Sequence, residues 1–137
     1  YRKRKNKMPE DEKPTLITLY DYTIAKLKSL EEKKWWQQEQ YKQYHSALTD
    51  IVREYMEYRY GMQALELTSD EIIEQAVGTD MPNELIDKLQ YIFRTADLAK
   101  FAKSRPLPHE NTQCMQFAYQ FVEQTKVEGE IKKELKQ

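Results

Sequence analysis

Two histidines, His45 and His109, and one cysteine, Cys114, are the side chains best suited to metal ligation or nucleophilic attack. Their spacing supports neither. A helical metal motif needs a second His or carboxylate three or four residues from the first, on the same face. From His45 those positions hold Leu48 and Thr49. His109 follows Pro108 and precedes Glu110, at the expected start of a helix remote in sequence from His45. Both histidines read as structural or surface residues. Cys114 falls on an apolar face and reads as a small core residue. One cysteine rules out an internal disulfide and any Cys-rich zinc site, and it fits a reducing compartment.

Carboxylates are numerous but lie at helical spacings among basic residues. Arg53 and Glu57 form an opposite-charge pair four residues apart, and Asp50 and Glu54 a like-charge one. Such surface pairs are each worth only ~0.2–0.5 kcal/mol. The glycines stand alone at positions 61, 78 and 129, so neither a P-loop nor a dinucleotide fingerprint exists. No nucleophile-elbow pattern occurs. The expectation is a non-enzymatic chain with no catalytic residue, cofactor or metal site.

Aromatic residues are the more informative group. Trp35, Trp36, Tyr41, Tyr44, Tyr55, Tyr58 and Tyr60 crowd one stretch of chain. Core packing is the first explanation and covers part of them. The rest, with Trp35, Trp36, Tyr41 and Tyr44 foremost, suit a protein-binding patch, where Trp and Tyr concentrate. Interleaved with Lys33, Lys34 and Lys42, they also suit stacking of single-stranded bases, but Glu54, Glu57 and Glu66 oppose that reading. Arg53 stands inside an apolar run with Ile51, Val52 and Tyr55. It is a candidate for an interaction role, or for a structural ion pair with Glu66 or Asp97.

Helices must position these residues. The 137-residue length suits one domain. At 39% hydrophobic and 33% charged, the chain is less apolar and more charged than the usual ~45–50% and ~25%, which favours helices with narrow apolar stripes. Tyr20, Ile24, Leu27 and Leu30 predict a helix over 19–36. Tyr41, Tyr44, Leu48, Ile51, Val52, Tyr55 and Tyr58 or Arg59 predict a second over 38–60, closed by Gly61. Thr68 with Glu71 is a capping box and predicts a short helix over 69–77. Pro82 suits the first position of a fourth helix buried through Leu85, Leu89, Ile92, Phe93 and Ala96. Asp97 is placed to cap a further turn through Leu98, Phe101 and Ala102. A fifth helix starts near Pro108 and runs past Thr125, burying Cys114 or Met115, Ala118, Phe121 and Val122. The fold class is all-α: a compact bundle of four to five helices over 16–125, with a flexible basic linker over 1–15 and a charged, fraying tail over 126–137.

Charge separates the linker from the body. Residues 1–13 carry +3 and residues 14–137 carry −4. An acidic body is a poor duplex-binding surface. The leader YRKRKNK, with Arg2, Lys3, Arg4, Lys5 and Lys7, reads as the cytoplasmic flank of a membrane helix preceding Tyr1. Anionic lipid headgroups are the expected contact of such a flank. The chain's own apolar runs fall short of the ~20 residues that span a bilayer. A chain beginning at Tyr1 rather than Met reads as a piece of a longer protein.

Ala25, Leu27 and Leu30 followed by Glu31–Lys34, then Tyr44, Leu48, Ile51, Arg53 and Tyr55, then Gly61, Ala64 and Glu66 with the Thr68–Glu71 box, and last Asp97, Lys100, Phe101, Ala102 and Pro106 carry a likeness over about 16–125. On these residues the chain resembles the cytoplasmic helical tail of single-pass bacterial envelope proteins. Their genes accompany MoxR-type AAA+ ATPases and von Willebrand A-domain membrane proteins in aerotolerance-type clusters. The resemblance implies a domain on the cytoplasmic face of the inner membrane, with the ATPase or the A-domain protein as its partner. It transfers no catalytic residue. The rival expectation is a soluble regulatory or nucleic-acid-binding helical domain with a basic N-terminal arm.

Overall fold

Thr18 opens the first helix because its hydroxyl accepts the otherwise unpaired Asp21 amide at 2.9 Å. From there the computed structural model, which describes residues 18–127, builds five helices. They are α1 (Leu19–Glu32), α2 (Tyr41–Tyr60), α3 (Ser69–Val77), α4 (Asn83–Phe101) and α5 (Pro108–Thr125). No strand occurs among the described residues. The basic leader, with Arg2, Lys3, Arg4, Lys5 and Lys7, and the tail from 128 onward lie outside them.

The stop and start signals act where their chemistry predicts. Gly61 closes α2 at φ 75°, a left-handed conformation that a Cβ would strain. In the capping box of α3, the Thr68 hydroxyl accepts the Glu71 amide at 3.2 Å and the Glu71 carboxylate accepts the Thr68 amide at 2.9 Å. Pro82 differs from the expectation: it stands one residue ahead of the first position of α4, where its carbonyl accepts the Leu85 and Ile86 amides at 3.0 and 3.2 Å, whereas Pro108 is the first residue of α5. The Glu110 carboxylate reaches back to the Leu107 amide at 2.8 Å, which fixes the entry into α5.

Two predicted elements differ. α1 ends at Glu32, not at Trp36. Lys34 turns left-handed at φ 53°, and Trp36–Gln38 then form a 3₁₀ turn. Glu39 at φ 63° aims the chain into α2. The Gln38 side-chain amide holds this corner by donating to the Lys33 and Lys34 carbonyls at 3.1 and 2.9 Å. In α4, Asp97 caps nothing: the helix runs through it to Phe101. Phe101 is 76% exposed and Leu98 49%, so these two face solvent.

Side-chain pairs set the topology. Lys26 meets Glu54 at 2.9 Å, which runs α1 antiparallel to α2. Lys100 reaches Thr49 at 3.5 Å, so α4 is antiparallel to α2. Tyr91 packs edge-on against Phe117 between antiparallel α4 and α5. α5 returns to α1, with the Tyr20 hydroxyl donating to Glu123 at 2.7 Å. The four long helices thus form a closed up-down-up-down ring, and α3 packs outside it against α4. The shared core includes Leu27, Leu48, Met56, Leu89, Phe93 and Phe121. In α1 the buried stripe is Leu19, Thr23, Leu27 and Leu30; Tyr20 and Ile24 flank it, half-buried.

Candidate functional site

The α1–α2 corner folds Trp35 and Trp36 back under the end of α1. Both indoles are half-buried against the core. Across from them α5 presents Thr112, Met115, Gln116 and Tyr119, and α2 contributes Tyr44. These walls, with Leu30, Glu31, Lys34 and Gln37, enclose an open groove of about 300 Å³.

Its polar groups are fixed. The Tyr119 hydroxyl donates to Glu31 Oε1 at 2.7 Å, joining the two walls. Burial, and then that carboxylate, raise the Tyr119 hydroxyl well above its ordinary pKa, so it stays a neutral donor. Tyr44 is buried, and its hydroxyl donates to the Asn111 carbonyl at 3.1 Å. Burial also raises Tyr44 strongly. The Lys33 ammonium stands 5.5 Å from the Trp35 ring centre, beside the groove. Four aromatic residues thus share the groove with charged, amide and aliphatic side chains.

Of the residues picked out by sequence, Trp35, Trp36 and Tyr44 come together here. Tyr41 is half-buried and does not line the groove. Arg53 faces α3 and α4 instead. Its guanidinium carbon lies 5.2 Å from the Phe93 ring centre. Nη2 donates to the Ser69 hydroxyl at 3.4 Å, and that hydroxyl donates to Asp97 at 3.2 Å. The expected ion pair with Glu66 or Asp97 is replaced by this hydroxyl relay, and Nε is buried with no hydrogen-bond partner among the described residues. The Arg53–Glu57 pair also fails to form, because Glu57 accepts the Leu65 amide at 2.9 Å.

Cys114 is fully buried, and burial pushes its thiol up to about 12, which leaves no thiolate at neutral pH. His45 is fully buried on α2, whereas His109 is exposed at the start of α5. No group of three or more His, Cys, Asp or Glu side chains placed to hold a metal occurs among the described residues. No helix among them is long and apolar enough to cross a membrane.

Sequence reasoning missed Tyr119 and Asn111. Tyr119 follows Ala118 on a predicted inward face, and its half-buried neighbour position was the signal available. Asn111 is a polar residue in the first turns of a helix, where nothing in the local pattern marks it as buried. Comparisons with protein-family models, with curated proteins and with solved structures find no match for the chain.

Proposed function

We propose that the chain is a non-enzymatic protein-interaction domain that docks partner proteins through the aromatic groove, as the cytoplasmic part of a single-pass membrane protein. The docking reading is carried by one observation: both tryptophans converge with Tyr44 and Tyr119 on one open groove. Large rigid aromatics bury much area for little lost side-chain entropy, which is why they anchor protein interfaces. The Gln37 and Gln116 amides at the edge suit backbone groups of a partner segment. The membrane half of the reading is supported by the leader YRKRKNK and by the resemblance set out above. On that resemblance the partner is a MoxR-type ATPase or an A-domain protein. Anionic lipid meets the leader.

The test is photo-crosslinking from Gln37 in native membranes, with Glu74 on the exposed side of α3 as control. A partner captured from position 37, not from 74, and lost in Trp36→Ala with melting little changed, is the expected result. Equal capture from both positions rejects the groove. Capture should also persist at added salt, whereas phosphate-driven nucleic-acid binding would fall steeply. About 20 apolar residues encoded ahead of Tyr1 are expected; a start codon or a polar domain there ends the membrane reading.

A further inference from the structure

His45, the chain neighbour of the groove residue Tyr44, is fully buried. Its Nε2 is 2.8 Å from Asn111 Oδ1. The Asn111 side chain has one orientation, because Nδ2 donates to the Pro106 and Leu107 carbonyls at 3.3 Å each. Oδ1 is thus left as an acceptor, and Nε2 must carry the proton. In the neutral ring Nδ1 is then a bare lone pair, and it is buried with no hydrogen-bond partner among the described residues.

A second proton would have to go on Nδ1. There, among the described residues, it would meet no acceptor and no carboxylate. From α4 the charged neighbour is Lys100, whose ammonium reaches the Thr49 hydroxyl one turn beyond His45. From α5 the nearest carboxylate in sequence is Glu110, which is engaged by the Leu107 amide. Cys114 of α5 is a neutral thiol at these pH values. On α2 itself, Tyr44 is neutral and turned to the Asn111 carbonyl, while Asp50 is exposed. Burial, reinforced by Lys100, accordingly lowers the imidazole pKa, and the Asn111 bond only partly opposes this.

Asn111 is the shared anchor. It receives Tyr44 on its backbone and His45 on its side chain, and it precedes the groove residues Thr112 and Met115. We propose that His45 is a pH-sensitive latch: protonation of its buried Nδ1 releases the start of α5 from α2 and opens the groove that Trp35 and Trp36 line. This rests on the docking reading for its purpose but not for its chemistry.

The sign follows from linkage. The unfolded or released chain binds the proton near pH 6.5, the latched chain only at lower pH. Latching is therefore complete above about pH 6.5 and weakens below it, by up to tenfold in population per pH unit.

The two indoles of the chain both line the groove, so intrinsic fluorescence of the full 137-residue chain reports it directly. Expected is a reversible emission change on acidification below about pH 6.5, tracking the His45 ring signals in NMR, and absent in His45→Gln. In Asn111→Asp the two bonds to the Pro106 and Leu107 carbonyls are lost, but the added negative charge favours the imidazolium. His45 should then titrate higher than in the parent chain, read from the same ring signals. A folded parent chain in which His45 titrates at or above about 6.5 overturns the proposal, and that result needs no variant. So does an emission change that survives in His45→Gln. A partner found to dock elsewhere would sink the docking reading and leave these titrations unchanged.

Discussion

Arg53 is a charged residue held by a ring and a hydroxyl instead of a carboxylate. Its guanidinium lies over Phe93, and its link to Asp97 runs through Ser69. Removing a member of a buried ion pair strands the other charge and costs about 3–5 kcal/mol. Here Asp97 keeps its bond from Ser69, so Arg53→Ala should lose the ring contact, the long hydrogen bond to Ser69 and the packing of its stem. Urea denaturation should show a loss of about 1–2 kcal/mol. A loss above about 3 kcal/mol would restore the ion-pair reading. The sequence pattern marked Arg53 correctly as unusual, since it interrupts Ile51, Val52 and Tyr55. It offered Asp97 as a partner but could not reveal Ser69 between them, because Ser69 reaches Arg53 only once α3 packs on α4. The groove was half visible for the same reason. Trp35, Trp36 and Tyr44 are close in sequence, whereas Tyr119 arrives from α5 through tertiary packing.

Helix ends were readable where a side chain or a glycine acts locally, as at Thr68–Glu71, Gly61 and Pro108. They were misplaced where lysine and glutamate take left-handed backbone, at Lys34 and Glu39, since neither residue type signals a turn. The phase of α1 was shifted because Thr23 occupies a buried position, so apolarity alone centred the stripe on Ile24. Two predictions follow from these ends. α3 has nine residues, fewer than the ~12–15 at which an isolated helix becomes marginal, and it packs mainly on α4. Its cap therefore matters, and Thr68→Ala should cost about 1 kcal/mol. Hydrogen exchange should show α3 amides losing protection while α2 and α4 keep theirs; uniform loss would contradict this. Lys103 closes α4 at φ 55°, where a side chain is strained. Lys103→Gly should raise stability by about 0.5–1 kcal/mol in thermal melts. A lower melting temperature would show that other contacts of Lys103 outweigh the strain.

The closed ring makes the groove and the core one cooperative unit. α1 is tied to α5 at both ends, by Tyr20 to Glu123 and by Glu31 to Tyr119. α2 is tied to α5 at both ends too, by His45 to Asn111 and by Tyr55 to Thr125 at 2.6 Å. Trp35 and Trp36 pack on the same cluster that buries Leu48, Phe93 and Phe121. The corner carrying the indoles therefore cannot loosen far without opening the seam between α1 and α5. At neutral pH, where the His45 latch is closed, the chain should unfold in a single transition. Far-UV circular dichroism reads all five helices, and tryptophan emission reads only the groove, so their midpoints in urea should coincide. Emission that changes at lower urea than ellipticity would mean that the α1–α2 corner opens on its own. The groove would then be a locally soft site, and the rigid anchors that make it suitable for docking would have to form on binding.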